Sequence, residues 1–204
     1  MSNLALGKDA VKKHTNFGFT LIETLAVILI IGILAAIAGP SWVSFINQRR
    51  INATNDAILR AIQDTQREAI NKKNDYSISF RTNNQVIEFA IHLDNNVPST
   101  WQILGKGLQI KPGQVILGTN LSGENVAGNS FSYASTTTQT ITFDSRGSLL
   151  PDPTPILGSR GLIISVARPQ STNSTQPVPV TRRCVKVTTL LGALQTGIEE
   201  KCDP

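Results

Sequence analysis

The sequence predicts an α+β fold in which one long N-terminal helix, apolar all round in its first half and amphipathic in its second, packs on a mainly antiparallel β-sheet. Three observations predict it. From Phe19 to Trp42 there are 24 residues with a single charge, Glu23. Beyond Pro40 the helical pattern continues through Ser41–Lys73, with Ile46, Ile51, Ile58, Ile62, Ala69 and Ile70 mostly three, four or seven residues apart. Every later candidate element is strand-like, and one helix followed only by strands cannot supply the repeated crossovers of a parallel sheet. The chain divides accordingly into a leader, 1–18, an apolar helix, 19–42, and a globular domain, 43–204, that includes the second half of the helix.

The leader is polar and basic, with Lys8, Lys12 and Lys13 against Asp9. His14 has no partner there and reads as solvated. A helix of 24 residues covers about 36 Å, enough for the apolar core of a bilayer. The lysines should stay in the cytoplasm and place Ser41–Pro204 outside, although Arg49 and Arg50 weaken the asymmetry. Gly39-Pro40 divides the two halves, and a bend or loosened turn is expected there because proline lacks an amide hydrogen and clashes with the carbonyl four residues back.

A secretory signal peptide is the competing reading, since Ala36-Ile37-Ala38 satisfies the small-x-small cleavage pattern. Against it stand the long basic region, an apolar run at the upper limit for such a peptide, and Glu23, whose carboxylate costs about 2.5–3.5 kcal/mol on insertion scales. A cut between Gly18 and Phe19 would create an α-ammonium four residues from Glu23, able to pair with it in a neighbouring helix.

Gly18 followed by Phe19-Thr20-Leu21-Ile22-Glu23 resembles the class III signal of type IV prepilins and type II secretion pseudopilins. Gly32 and Pro40, the latter beside Gly39, fall where many members of that family carry helix-weakening residues. The resemblance implies a pilin-like fold and cleavage after Gly18 by a prepilin peptidase that also N-methylates Phe19. It further implies a single-pass stage in the bacterial inner membrane, and extraction by an assembly platform into a filament of pilins or pseudopilins, with Glu23 serving assembly.

The 204 residues carry a net charge of +5, of which the leader holds +2. The remaining excess is too mild to support a nucleic-acid claim, which needs clustered cations. About 160 residues follow the apolar helix, enough for one ordinary domain. Cys184 and Cys202 are the only cysteines. An even count in an exported segment favours a disulfide, whereas a zinc site lacks a second cysteine pair and has only His92 to add. Such a loop closure is worth about 3 kcal/mol on the chain-entropy model.

Asn71–Asp75 is rich in helix stoppers, after which Tyr76–Phe80 and Gln85–Leu93 read as a hairpin. Further strand candidates are Trp101–Leu104, Gln114–Leu117, Thr140–Phe143, Leu162–Ala167 and Cys184–Leu190. Asn120–Gln139 and the proline-rich Arg168–Thr181 read as long mobile surface loops.

No phosphate-binding glycine motif, nucleophile elbow or paired metal ligands occur after the helix, so neither enzyme activity nor a cofactor is expected. His92 beside Asp94 reads as a solvated strand-end residue, and Glu199 and Glu200 as solvated carboxylates. Ile141–Gly147, Gly161–Ser165, Arg183–Gly192 and the last Cys202 together resemble the GspH/FimT group of minor pseudopilins, which implies a place at or near a filament tip. FimT-like members implicated in DNA uptake carry Gly-Arg-x-Arg after the last strand. Here the stretch is Gly192-Ala193-Leu194-Gln195, so that carry-over fails and only Arg182, Arg183 and Lys186 remain as a basic group that DNA could use.

Overall fold

The computed structural model describes residues 18–108, 110–133, 137–151, 154–171 and 174–202. The leader residues Lys8, Lys12, Lys13 and His14 lie outside them. Helix α1 runs from Leu21 to Lys72, and the chain resolves into two compact units, Met1–Val43 and Ser44–Pro204.

In the first unit α1 opens on Thr20, whose Oγ1 accepts a hydrogen bond from the Glu23 amide at 3.3 Å. Thr20 thus caps the helix, with Glu23 three residues on at the position where an acid complements the unsatisfied amides of the first turn. The side chains from Leu21 to Ala38 are exposed on every face. The α-helical backbone continues through Gly39 and Pro40.

The second unit places the rest of α1 against two sheets around one core. Strands β1 (Tyr76–Asn83), β2 (Val86–Leu93), β3 (Gln102–Ile103) and β6 (Gln139–Phe143) form a sheet in the order β3-β2-β1-β6. Strands β4 (Ile116–Gly123), β5 (Val126–Ser132), β7 (Leu162–Ala167), β8 (Arg183–Val187) and β9 (Leu194–Ile198) form the other, in the order β5-β4-β7-β8-β9. All strand pairings within the two sheets are antiparallel. The fold is therefore α+β, one long helix on antiparallel sheets.

Period-two alternation assigns the faces. Ile78, Phe80, Ile87, Ile141 and Phe143 of the first sheet meet Leu117, Leu162, Ile164, Val166, Val185 and Val187 of the second, and Ile51, Ile58, Ala61, Ile62 and Ala69 of α1 fill the space between. The stripe differs from the predicted one at two points. Ile70 is 48% exposed, and Thr54, Asn55 and Thr65 are buried within it. The threonine hydroxyls are satisfied by the helix itself, Thr54 donating to Arg50 O and Thr65 to Ala61 O, each at 2.8 Å.

The ends of α1 and β1 carry their own signals. Lys73 takes a left-handed conformation and Asn74 N donates to Ala69 O, a six-to-one closure of the helix. Asn84 and Gln85 both have positive φ, 48° and 63°, the turn whose twist suits a two-residue hairpin.

Two expectations are corrected. Asn120–Gln139 is not one surface loop: β4 extends to Gly123, β5 follows, and Asn120 and Asn125 are buried. Each of these amides brackets a backbone. Asn120 Nδ2 donates to Gly161 O at 2.9 Å while its Oδ1 accepts from Ile163 N at 2.7 Å, and Asn125 treats Thr142 O and N in the same way at 2.9 and 3.0 Å. The arms of Arg168–Thr181 are also tied, through a Pro169–Pro177 bridge, Gln170 N to Gln176 O and Val178 N to Arg168 O. Strand β9 adds an element where the sequence offers only a short, glycine-interrupted run.

Candidate functional site

The N-terminal turn gathers Gly18, Phe19, Thr20 and Glu23. Phe19 is 78% exposed. A Cβ built on Gly18 or on Gly32 would meet nothing within 4 Å, and neither has a positive φ. Nothing in this chain's own folding therefore calls for glycine at either position, so any requirement comes from a second molecule. Among the residues from Leu21 to Ala38, Glu23 is the only charge in a cylinder of exposed Leu, Ile, Val and Ala. Each large apolar side chain leaving water gains about 1.5–3 kcal/mol. Such a surface is stable against lipid or other apolar helices, and α1 is long and apolar enough to cross a membrane.

At the far end of the chain a disulfide joins Cys184 on β8 to Cys202 in the 3-10 turn Glu199–Cys202, with Cα atoms 5.5 Å apart. The register explains how the turn reaches the sheet. Gly118, Ser165, Cys184 and Gly197 lie opposite one another across β4, β7, β8 and β9, a row with no bulky side chain on the outer face. Phe131 and Tyr133 fold over it from one edge, a Cβ on Gly118 falling 2.6 Å from the Tyr133 ring. Cys202 covers it from the other, where a Cβ on Gly197 would sit 2.9 Å from the Cys184 sulfur.

The structure does not bring Arg182, Arg183 and Lys186 together. Arg182 precedes β8, and Arg183 and Lys186 stand on opposite faces of it because they are an odd number of positions apart on the strand. Arg183 Nε donates to Asn52 Oδ1 of α1 at 3.0 Å. Lys186 instead lines an outer-face hollow with Arg160, Glu200 and Lys201. Arg160 and Lys201 went unnoticed in the sequence because they are far apart along the chain and are gathered only by the β7–β8–β9 register.

His92 is half-buried rather than solvated. Its Nε2 lies 2.9 Å from Ser79 Oγ and its Nδ1 2.9 Å from Leu93 O. The pair has the spacing of a base and a hydroxyl, yet Ser79 is 1% exposed and its oxygen is shared with Thr140 at 2.8 Å. A nucleophile must be reachable, so this is a structural hydrogen bond. Among the described residues no group of three or more His, Cys, Asp or Glu side chains is placed to hold a metal ion.

Residues 13–39 match the family described as the prokaryotic N-terminal methylation motif, the signal of type IV pilin-like proteins. This defines the class of N-terminus to which Gly18, Phe19 and Glu23 belong. The structure is similar to the crystal structure of the type IV minor pilin FimU of Pseudomonas aeruginosa strain PAO1. The identity is 12% and the TM-score 0.46, over 77% of this chain and 93% of that one. No curated protein matches the chain.

Proposed function

We propose that the chain is a minor pilin or pseudopilin of the GspH/FimT kind, a structural subunit without catalytic activity. A prepilin peptidase cuts between Gly18 and Phe19 and methylates the new amine. The helix from Phe19 to Trp42 then holds the subunit in the inner membrane, with the globular unit outside, until an assembly platform moves it into a type II secretion pseudopilus or a type IV pilus, at or near the tip. The observation that carries this reading is the methylation motif on a helix whose apolar surface is uncovered and interrupted only by Glu23. In a bundle of such helices an unpaired carboxylate is expensive, and pairing with the Phe19 ammonium of a neighbour offsets that cost and sets the axial register.

The open space around Gly18 supports the same reading, since a glycine that its own chain does not need suits a peptidase that accepts the residue before the cut in tight quarters. Intact-mass analysis of the protein from its native membrane tests the proposal. The expected species begins at N-methyl-Phe19. A chain beginning at Gly39 would mean that Ala36-Ile37-Ala38 was read as an ordinary export signal, and would remove the filament reading. No geometry favours the DNA-binding alternative, because Arg182, Arg183 and Lys186 do not share a face.

A further inference from the structure

The outer face of the β3-β2-β1-β6 sheet, opposite α1, holds a cleft of about 480 Å³ lined by Ser77, Ser79, Asp94, Trp101, Glu124 and Thr140, among others. Its floor is unusual for a solvent face, because Ser77, Ser79 and Thr142 are fully buried and every hydroxyl is engaged. The direction of those bonds can be worked out. Leu93 O only accepts, so His92 Nδ1 donates to it; in that tautomer Nε2 accepts from Ser79, and Ser79 in turn accepts from Thr140. On the other side Ser77 Oγ touches both Asp94 Oδ1, at 3.3 Å, and Thr142 Oγ1, at 2.8 Å, and Thr142 donates to Glu124 Oε1. The Ser77 and Thr142 hydroxyls hold two hydrogens between them and serve three contacts.

The hydroxyl floor is therefore short of donors and offers oxygen lone pairs on Thr140, Asp94 and Glu124, while the side-chain amides of Asn95, which donates to Asp94 Oδ2 at 3.1 Å, and Asn96 also line the cleft. Arg81, the cation in the lining, is paired with Glu88 through Nε at 2.7 Å and its guanidinium lies 3.9 Å from the Trp101 ring centroid, so with Asp94 and Glu124 the lining is net negative. A ligand that fits brings hydrogen-bond donors for these oxygens and acceptors for the amides, and a net negative lining disfavours a negative charge on it. It also meets the Trp101 indole, one face of which is covered by the Arg81 guanidinium, so an apolar C–H surface of the ligand has the remaining ring surface to pack on. We propose that this cleft binds a saccharide, neutral or amino-bearing, with Asp94 and Glu124 accepting from its hydroxyl or ammonium groups and Trp101 as its apolar wall.

The test uses the full chain in a detergent without a sugar headgroup, with Trp42→Phe so that Trp101 is the one indole reporting. Neutral oligosaccharides of glucose, galactose and N-acetylglucosamine, oligomers of glucosamine, and oligomers of uronic acid are titrated while indole emission is followed. A saturable change is expected with at least one neutral or amino-bearing sugar, and about tenfold weaker binding for the uronic acids. Asp94→Asn and the isosteric Thr140→Val, each checked for an unchanged circular dichroism spectrum, should both weaken binding by about tenfold or more. No saturable change with any neutral or amino-bearing sugar would overturn the proposal. So would equal binding of uronic acids, or unchanged affinity in both variants.

Discussion

Asn125 and Thr142 are joined side chain to backbone by two hydrogen bonds, so the β4–β5 turn is bracketed onto β6 as though it were another strand of that sheet. Both residues are 0% exposed. The bracket ties one sheet to the other, and it does so at an asparagine with φ 53°, a conformation that asparagine tolerates better than most residues.

Removing it should be costly. Asn125→Ala leaves the buried Thr142 amide without its acceptor, at about 1–3 kcal/mol, while the Thr142 carbonyl keeps its bond from Leu150 N at 3.0 Å. We expect a loss of about 1–3 kcal/mol in denaturant unfolding, several times that of Asn129→Ala on the exposed part of β5. Equal effects from the two substitutions would show that the bracket contributes nothing beyond its turn.

Gly197→Ala tests the small-residue row. The new methyl falls against the Cys184 sulfur, so the 3-10 turn carrying Cys202 must shift. The expected result is slower oxidation of the Cys184–Cys202 pair and a lower melting temperature, read by thiol titration and calorimetry. Thr196→Ala, exposed on the same strand, should leave both unchanged.

Asp144 gives the fold an acid-sensitive corner. Burial raises its pKa, but hydrogen bonds from the Arg146 side chain and from the Arg146 and Ser148 amides outweigh burial and bring it below the ordinary value of 3.8. A carboxylate depressed on folding contributes stability that is fully present above its unfolded pKa and disappears as pH falls through the folded one. Stability should thus decline below pH 3.8 more steeply in the wild type than in Asp144→Asn. Urea midpoints across that range measure it, and parallel curves would remove the assignment.

Glu23 has two candidate roles that one comparison separates. As the third residue after Thr20 it suits the helix start, a role that glutamine also fills. As the partner of a neighbour's Phe19 ammonium it needs its charge. Glu23→Val and Glu23→Gln should both be cleaved and methylated yet both fail to enter filaments; filaments containing Glu23→Gln at wild-type levels would reduce Glu23 to a helix cap.

The parts of the fold legible in the sequence are those written in local pattern. The apolar run from Phe19, the Ile51–Ala69 stripe and the alternation of Tyr76–Phe80 need no distant partner to be read. Strand β5 could not be read so, because Val126-Ala-Gly-Asn-Ser-Phe-Ser is loop-like until β4 and the Phe131–Tyr133 cover give it a place. The basic trio failed for a related reason: closeness in sequence put Arg183 and Lys186 in one group, while strand parity sends them to opposite faces. Gly18, Phe19 and Glu23 were legible because they lie in a contiguous motif, residues 13–39, and the fold around them adds only the Thr20 cap.

The buried position of both Cys184 and Cys202 has a kinetic consequence. A small thiol in solution cannot attack either sulfur until Glu199–Cys202 has peeled away from β8 and β9, so reduction of the native protein waits on a local opening event. In the forward direction the sequence is inverted. The last turn lies over Gly197 only when β8 and β9 are paired, so the bond becomes resistant to reductants once the end of the globular unit has docked on that sheet edge.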